Sequence, residues 1–137
     1  MNEDLFSRQE IPVRALHLVE AQEKIHFLEP MLREAVDLFH RYKELREELL
    51  RMKGENADQI AFKRFQLDQI CEHLHELKLR FLQNDVIVHD WERGIINFIT
   101  LREFEPVFLC YKMGDMTITH FYKFSEDYSK RKRIDFS

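Results

Sequence analysis

From Ala21 to Met52 apolar residues return at steps of three and four: Ile25, Leu28, Met31, Leu32, Ala35, Leu38, Phe39, Tyr42, Leu45 and Leu49. That spacing lays a single stripe along an α-helix. Leu16 precedes the run, and Glu20 stands three positions after His17, where a capping-box acid sits. Pro30 cannot donate to the carbonyl of His26, so a kink or a break is expected between them, with Pro30 near the first position of whatever helix follows. A second stripe holds Ile60, Leu67, Ile70, Cys71, Leu74, Leu77, Phe81 and Leu82. Between the stripes, Gly54 can adopt the positive φ of a helix C-cap, and Asn56 can cap the next helix with Gln59 completing the box. Helices are expected over about 18–53 and 57–83. Their link is so short that they must lie antiparallel.

After Asp85 the period falls to that of strands. Short β-branched and aromatic runs predict strands over about 86–89, 95–99, 107–112 and 117–124. Asp90 to Gly94 supplies one turn and Gly114-Asp115 another. A two-residue loop at Gly114-Asp115 would set Tyr111 opposite Ile118 and Leu109 opposite His120. One face would then hold Val107, Leu109, Tyr111, Ile118, His120 and Tyr122, and the other Phe108, Cys110, Lys112, Thr117, Thr119 and Phe121. Neither face is fully polar. The fold class is therefore α+β: a long antiparallel helical hairpin, its first helix kinked near Pro30, followed by a small antiparallel sheet of about four strands. Residues 1–15 read as a flexible arm in which Val13 to Leu16 could pair as a short strand, 16–124 as a single domain, and 125–137 as a polar basic tail.

Composition agrees. With 137 residues, a chain can bury a core without metals or disulfides, and only three Gly and three Pro argue for few, long elements. The net charge of −4 makes nucleic acid an unlikely partner. Cys71 and Cys110 share no metal or redox spacing and read as buried, reduced thiols. No apolar run reaches the length of a membrane span, and the polar, acidic first ten residues are unlike a signal peptide, so the expected location is cytoplasmic with no membrane contact.

Three stretches resemble the uncharacterised prokaryotic family catalogued as domain of unknown function 2203. Glu20-Ala21-Gln22 with Pro30 downstream is similar to the family's Glu-Ala-Asn followed by a Pro-containing helix. Val88-His89-Asp90-Trp91-Glu92-Arg93-Gly94-Ile95-Ile96-Asn97-Phe98 resembles Val-Lys-Asp-x-Glu-x-Gly-Leu-Val-Asp-Phe. Val107-Phe108-Leu109-Cys110-Tyr111-Lys112-Met113-Gly114-Asp115 resembles Val-x-Leu-Cys-Trp-x-x-Gly-Glu. The likeness covers roughly 16–134 apart from the hairpin tip. The family's Trp-His pair falls on Phe121-Tyr122, and of its terminal Gly-Arg-x-Pro only Arg131 matches. The resemblance implies the fold and no mechanism.

Several residue groups could carry chemistry. Glu23-x-x-His26, Glu72-x-x-His75 and Asp37-x-x-His40 have or approach the spacing of di-iron bundle ligands, but helical phase turns His40, Glu72 and His75 to water, so no metal or cofactor is expected. At the sheet edge Asp90, Glu92, Asp115, His89 and His120 could converge, with His120 and a carboxylate doing acid–base work in a small-molecule or metal-binding enzyme. Turn chemistry accounts for Asp90 and Asp115 equally well. The run Lys130-Arg131-Lys132-Arg133 could serve a nucleic-acid or ribonucleoprotein accessory. At the hairpin tip Phe62 and Phe65 point away from the main stripe, while Arg46, Lys63 and Arg64 fall within or beside the inward stripes. Exposed phenylalanines one turn apart mark a contact surface. The sequence favours a non-enzymatic interaction or scaffold domain, a homodimer or higher homo-oligomer built on the hairpin, with any other protein partner unnamed.

Overall fold

The computed structural model describes residues 12–54 and 56–135. The expected arm at 1–15 is therefore described only from Pro12 onward. There Ala15 bridges Ile99 in parallel and Leu16 N–H donates to the Ile99 carbonyl at 2.7 Å.

The first helix, α1, spans Leu18–Arg51, and the second, α2, spans Ala57–Gln83. At 1.5 Å per residue α1 is about 50 Å long. Glu20 accepts the His17 N–H at 3.3 Å, as the capping-box acid should. Asn56 caps α2 by accepting the Asp58 N–H at 2.7 Å, and Gly54 takes φ +74° in the link. Pro30 sits inside α1 without ending it. Both Pro30 and His26 lie on the exposed side, so the carbonyl that Pro30 leaves without an amide partner faces water.

The sheet is a five-stranded antiparallel meander in the order β1 (Ile87–Asp90), β2 (Ile95–Arg102), β3 (Glu105–Lys112), β4 (His120–Lys123) and β5 (Lys132–Arg133). The helix pair covers one face. Leu28, Leu32 and Ala35 of α1 and Leu74, Leu77 and Phe81 of α2 close over Ile96, Phe98, Leu109, Tyr111 and Phe121 in one buried cluster. Trp91, in the β1–β2 turn, meets Phe81 edge-on at 6.5 Å.

Three sequence expectations change. The segment expected as a polar tail from 125 folds onto the sheet: β5 pairs with β4, Ile134 is buried, and its N–H donates to the Thr119 carbonyl. The β2–β3 turn is tight, with Glu103 and Phe104 both at positive φ, although neither is a glycine or asparagine. Third, the β3–β4 register differs by one residue from that expected. Leu109 faces Phe121, Cys110 faces His120 and Phe108 faces Tyr122. The turn closes as Asp115 N–H to Lys112 carbonyl, which puts Gly114, at φ +97°, third of four residues as a type II turn requires. Residues 116–119 then cross to β4 irregularly, held by Gln22 of α1, which accepts the Ile118 N–H at 2.9 Å and donates to the Ile118 carbonyl at 3.2 Å. Because side chains alternate, the slip sends His120 and Tyr122 to the face away from the helices and Phe121 into the core.

Candidate functional site

The distal hairpin is the first candidate. Lys43 reaches Glu92 in the β1–β2 turn at 2.5 Å, and Leu45 is the last buried residue of α1 before the tip. Phe62 and Phe65 are 61% and 57% exposed. Of the three basic residues expected at the inward stripes, only Lys63 turns in: it is half-buried and donates to Glu48 at 2.7 Å, while Arg46 and Arg64 are exposed. The Lys63 contact is the main reason the Glu48 carboxyl lies below the ordinary range. A groove of about 660 Å³ opens here, lined by Glu48, Arg51, Met52, Asp58, Gln59, Phe62 and Lys63. Further along, Leu38, Arg41 and Leu45 of α1 and Gln66, Gln69, Ile70 and His73 of α2 line a second. On α2 the lining positions 58, 59, 62, 63, 66, 69, 70 and 73 follow helical spacing, so both grooves lie on one side of the hairpin.

The second candidate, the sheet edge, does not assemble around His120. Asp90 is consumed by its turn: it accepts the Glu92 and Arg93 N–H groups at 2.9 Å and the Arg93 Nε–H at 2.7 Å. Burial pushes its carboxyl up, but the Arg93 bonds outweigh it and the net shift is down. Glu92 belongs to α1 instead, through Lys43 and through His40, which meets its carbonyl at 3.2 Å. Asp115 is exposed, and its carbonyl lies 2.9 Å from the Tyr111 hydroxyl. That hydroxyl is 3.2 Å from Glu29, and burial foremost pushes its pKa up to about 12. His120 pairs through Nδ1 with Thr119 Oγ1 at 2.8 Å. Among the described residues no three His, Cys, Asp or Glu side chains gather as metal ligands would. Of the helical histidines, His73 meets Glu34 at 2.8 Å.

Strand register brings together a different group. Asn97, Cys110 and His120 form one cross-strand row on the face away from the helices, with Tyr122 beside them. Asn97 is only 3% exposed; its amide nitrogen donates to Tyr122 Oη at 2.6 Å, while its Oδ1 is buried without a hydrogen-bond partner. Burial pushes the Cys110 thiol up to about 11, which keeps it protonated and unreactive. His89 and Tyr128 close over this row, stacked at 5.5 Å. Sequence reasoning missed the group because it depends on the register; the position of Gly114 in its turn was the one signal that could have set it.

These features define a two-layer α+β domain, a helical hairpin laid across an open antiparallel meander. The chain belongs to the family described as uncharacterized conserved protein (DUF2203), whose model matches residues 14–134. No curated protein and no solved structure matches it. Among the described residues no helix is long and apolar enough to cross a membrane.

Proposed function

We propose that the protein is a non-enzymatic interaction domain that associates with a second copy of itself through the outer part of its helical hairpin. One observation carries this reading. Among the described residues from Arg46 to Ile70 no side chain is buried, although the stretch contains Leu49, Leu50, Met52, Phe62, Phe65 and Leu67. Two helices cannot enclose an apolar stripe between them; four can. A second hairpin laid in the grooves would bury Phe62 against Met52 and the aliphatic stems of Arg51 and Lys63, and would pass over exposed Phe65 at the rim. The groove carries both signs of charge, Glu48 and Asp58 with Arg51 and Lys63, so two copies can meet without like-charge repulsion.

Analytical sedimentation tests the proposal. The wild-type chain should sediment as a dimer or larger species at tens of micromolar. A Phe62→Asp, Phe65→Asp double variant should sediment as a monomer with an unchanged circular dichroism spectrum. A wild-type monomer at that concentration refutes self-association.

A further inference from the structure

The sheet face turned away from the helices carries a connected run of aromatic rings. Phe124, 47% exposed, stacks on Phe108 with centroids 4.3 Å apart. Phe108 leans on Tyr122 at 5.2 Å. Tyr122 meets His89 and Tyr128 edge-on, at 6.3 and 6.1 Å. None of these five rings belongs to the core beneath the helices. Cations border the run. The Arg131 guanidinium lies 4.3 Å from the Tyr128 ring centroid. Lys112, two positions from Cys110, and Arg133, opposite His120, share the same face. Of the acids nearby, Asp90 is engaged with Arg93, Asp127 with the Ser129 N–H and Glu126 with the Lys123 N–H, while Asp115 and Asp135 are exposed at the β3–β4 turn and just beyond β5.

We infer that this face binds single-stranded nucleic acid. Tyr128 is already sandwiched by His89 and by the guanidiniums of Arg131 and Arg93, so bases stack on the open faces of exposed Phe124 and His89, and phosphates meet Lys112, Arg131 and Arg133. An unpaired base offers a π-face that an aromatic shelf takes with little regard to sequence, whereas a duplex hides those faces. Charge selects the occupant: a polyanion matches a ring surface bordered by cations, which an apolar protein surface would leave unpaired. The net charge of −4 describes the whole chain, but the field at a surface depends on local charges. The basic run is also preorganised. Strand pairing of Lys132-Arg133 with β4 and the seat of Arg131 on Tyr128 hold cations that a loose tail would have to order on binding. The inference stands apart from self-association, which uses the opposite end of the molecule.

Fluorescence anisotropy with the full chain and labelled single-stranded oligonucleotides of about 12 residues, one RNA and one DNA, tests it. Saturable binding of either polymer is expected. Three phosphate contacts imply a roughly twentyfold loss of affinity between ~50 and ~200 mM salt. A duplex of the same sequence should bind at least about tenfold more weakly. Phe124→Ala should cost about tenfold with the salt dependence retained, because it removes stacking and no charge. An Arg131→Glu, Arg133→Glu double variant should abolish binding; both side chains are exposed, and Lys112→Glu reads the same charge effect should that variant fail to fold. No saturation at ~100 µM protein, equal affinity for the duplex, or full affinity in Phe124→Ala would overturn the inference.

Discussion

The two ends of the helical hairpin are built from similar sequence and meet different fates. In the proximal part, Leu28, Leu32, Leu74, Leu77 and Phe81 are fully buried because the sheet closes the third side. In the distal part, Leu49, Ile60, Leu67 and Ile70 continue the same stripes but reach only partial burial. Both parts form helix, since spacing and caps act locally. Only one has a core, because burial needs a third layer. The periodicity of a stripe therefore reports that a face wants cover, and not that the chain itself supplies it.

The largest expected effect breaks the proximal end. Phe81→Ala removes a ring from a closed site against Trp91 and should lower stability by about 3–5 kcal/mol in urea denaturation. Leu67→Ala at the distal end, measured in the Phe62→Asp, Phe65→Asp background so that no second copy covers it, should cost about 1 kcal/mol or less. Equal costs would show that the distal stripe is already enclosed and would remove the contrast between the ends.

A smaller effect is expected where the sheet grips the proximal helix. Gly94 holds φ +70°, its carbonyl accepts the Met113 N–H at 2.8 Å, and a Cβ there would lie 2.8 Å from Met113 Cβ and 3.1 Å from Val36 Cγ2. Gly94→Ala combines left-handed strain with a clash against α1 and should cost about 2 kcal/mol or more. Amide exchange should then accelerate in the β1–β2 turn and in α1 near Val36, and remain as fast as before in residues 57–70. Slower exchange of 57–70 than of 71–83 in the Phe62→Asp, Phe65→Asp monomer would contradict the comparison outright.

What was legible in the sequence follows the same division between local and non-local causes. The helices were readable to within two residues at each end, because the stripe, Glu20, Gly54 and Asn56 act within a few positions of one another. The antiparallel sheet was readable as a class. Its details were not. The Glu103-Phe104 turn carries none of the residues that announce positive φ, so β2 and β3 run further toward each other than their patterns suggest. β5 is two residues long and has no period of its own. The β3–β4 register is decided partly by Gln22, almost a hundred positions away, holding Ile118. A one-residue slip left the carboxylates of the sheet edge looking like a site and hid the row of Asn97, Cys110 and His120 with Tyr122 beside it. The exposure of Phe62 and Phe65 needed only helical phase, while the aromatic face needed tertiary register.

The smallest effect lies farthest from the helices, at the β2–β3 turn. Glu103 and Phe104 occupy φ +51° and +69°, and the Phe104 ring is 99% exposed. A type I′ turn prefers Asn-Gly at these two positions, since neither residue type suffers much from the left-handed conformation. Glu103→Asn with Phe104→Gly should therefore stabilise the protein by about 1 kcal/mol, read as a higher urea midpoint with an unchanged slope. Association measured by sedimentation should not move, because the turn belongs to the self-sufficient end of the molecule. A loss of association on this substitution would place the contact surface on the sheet, and the uncovered helical stripe would then need another explanation.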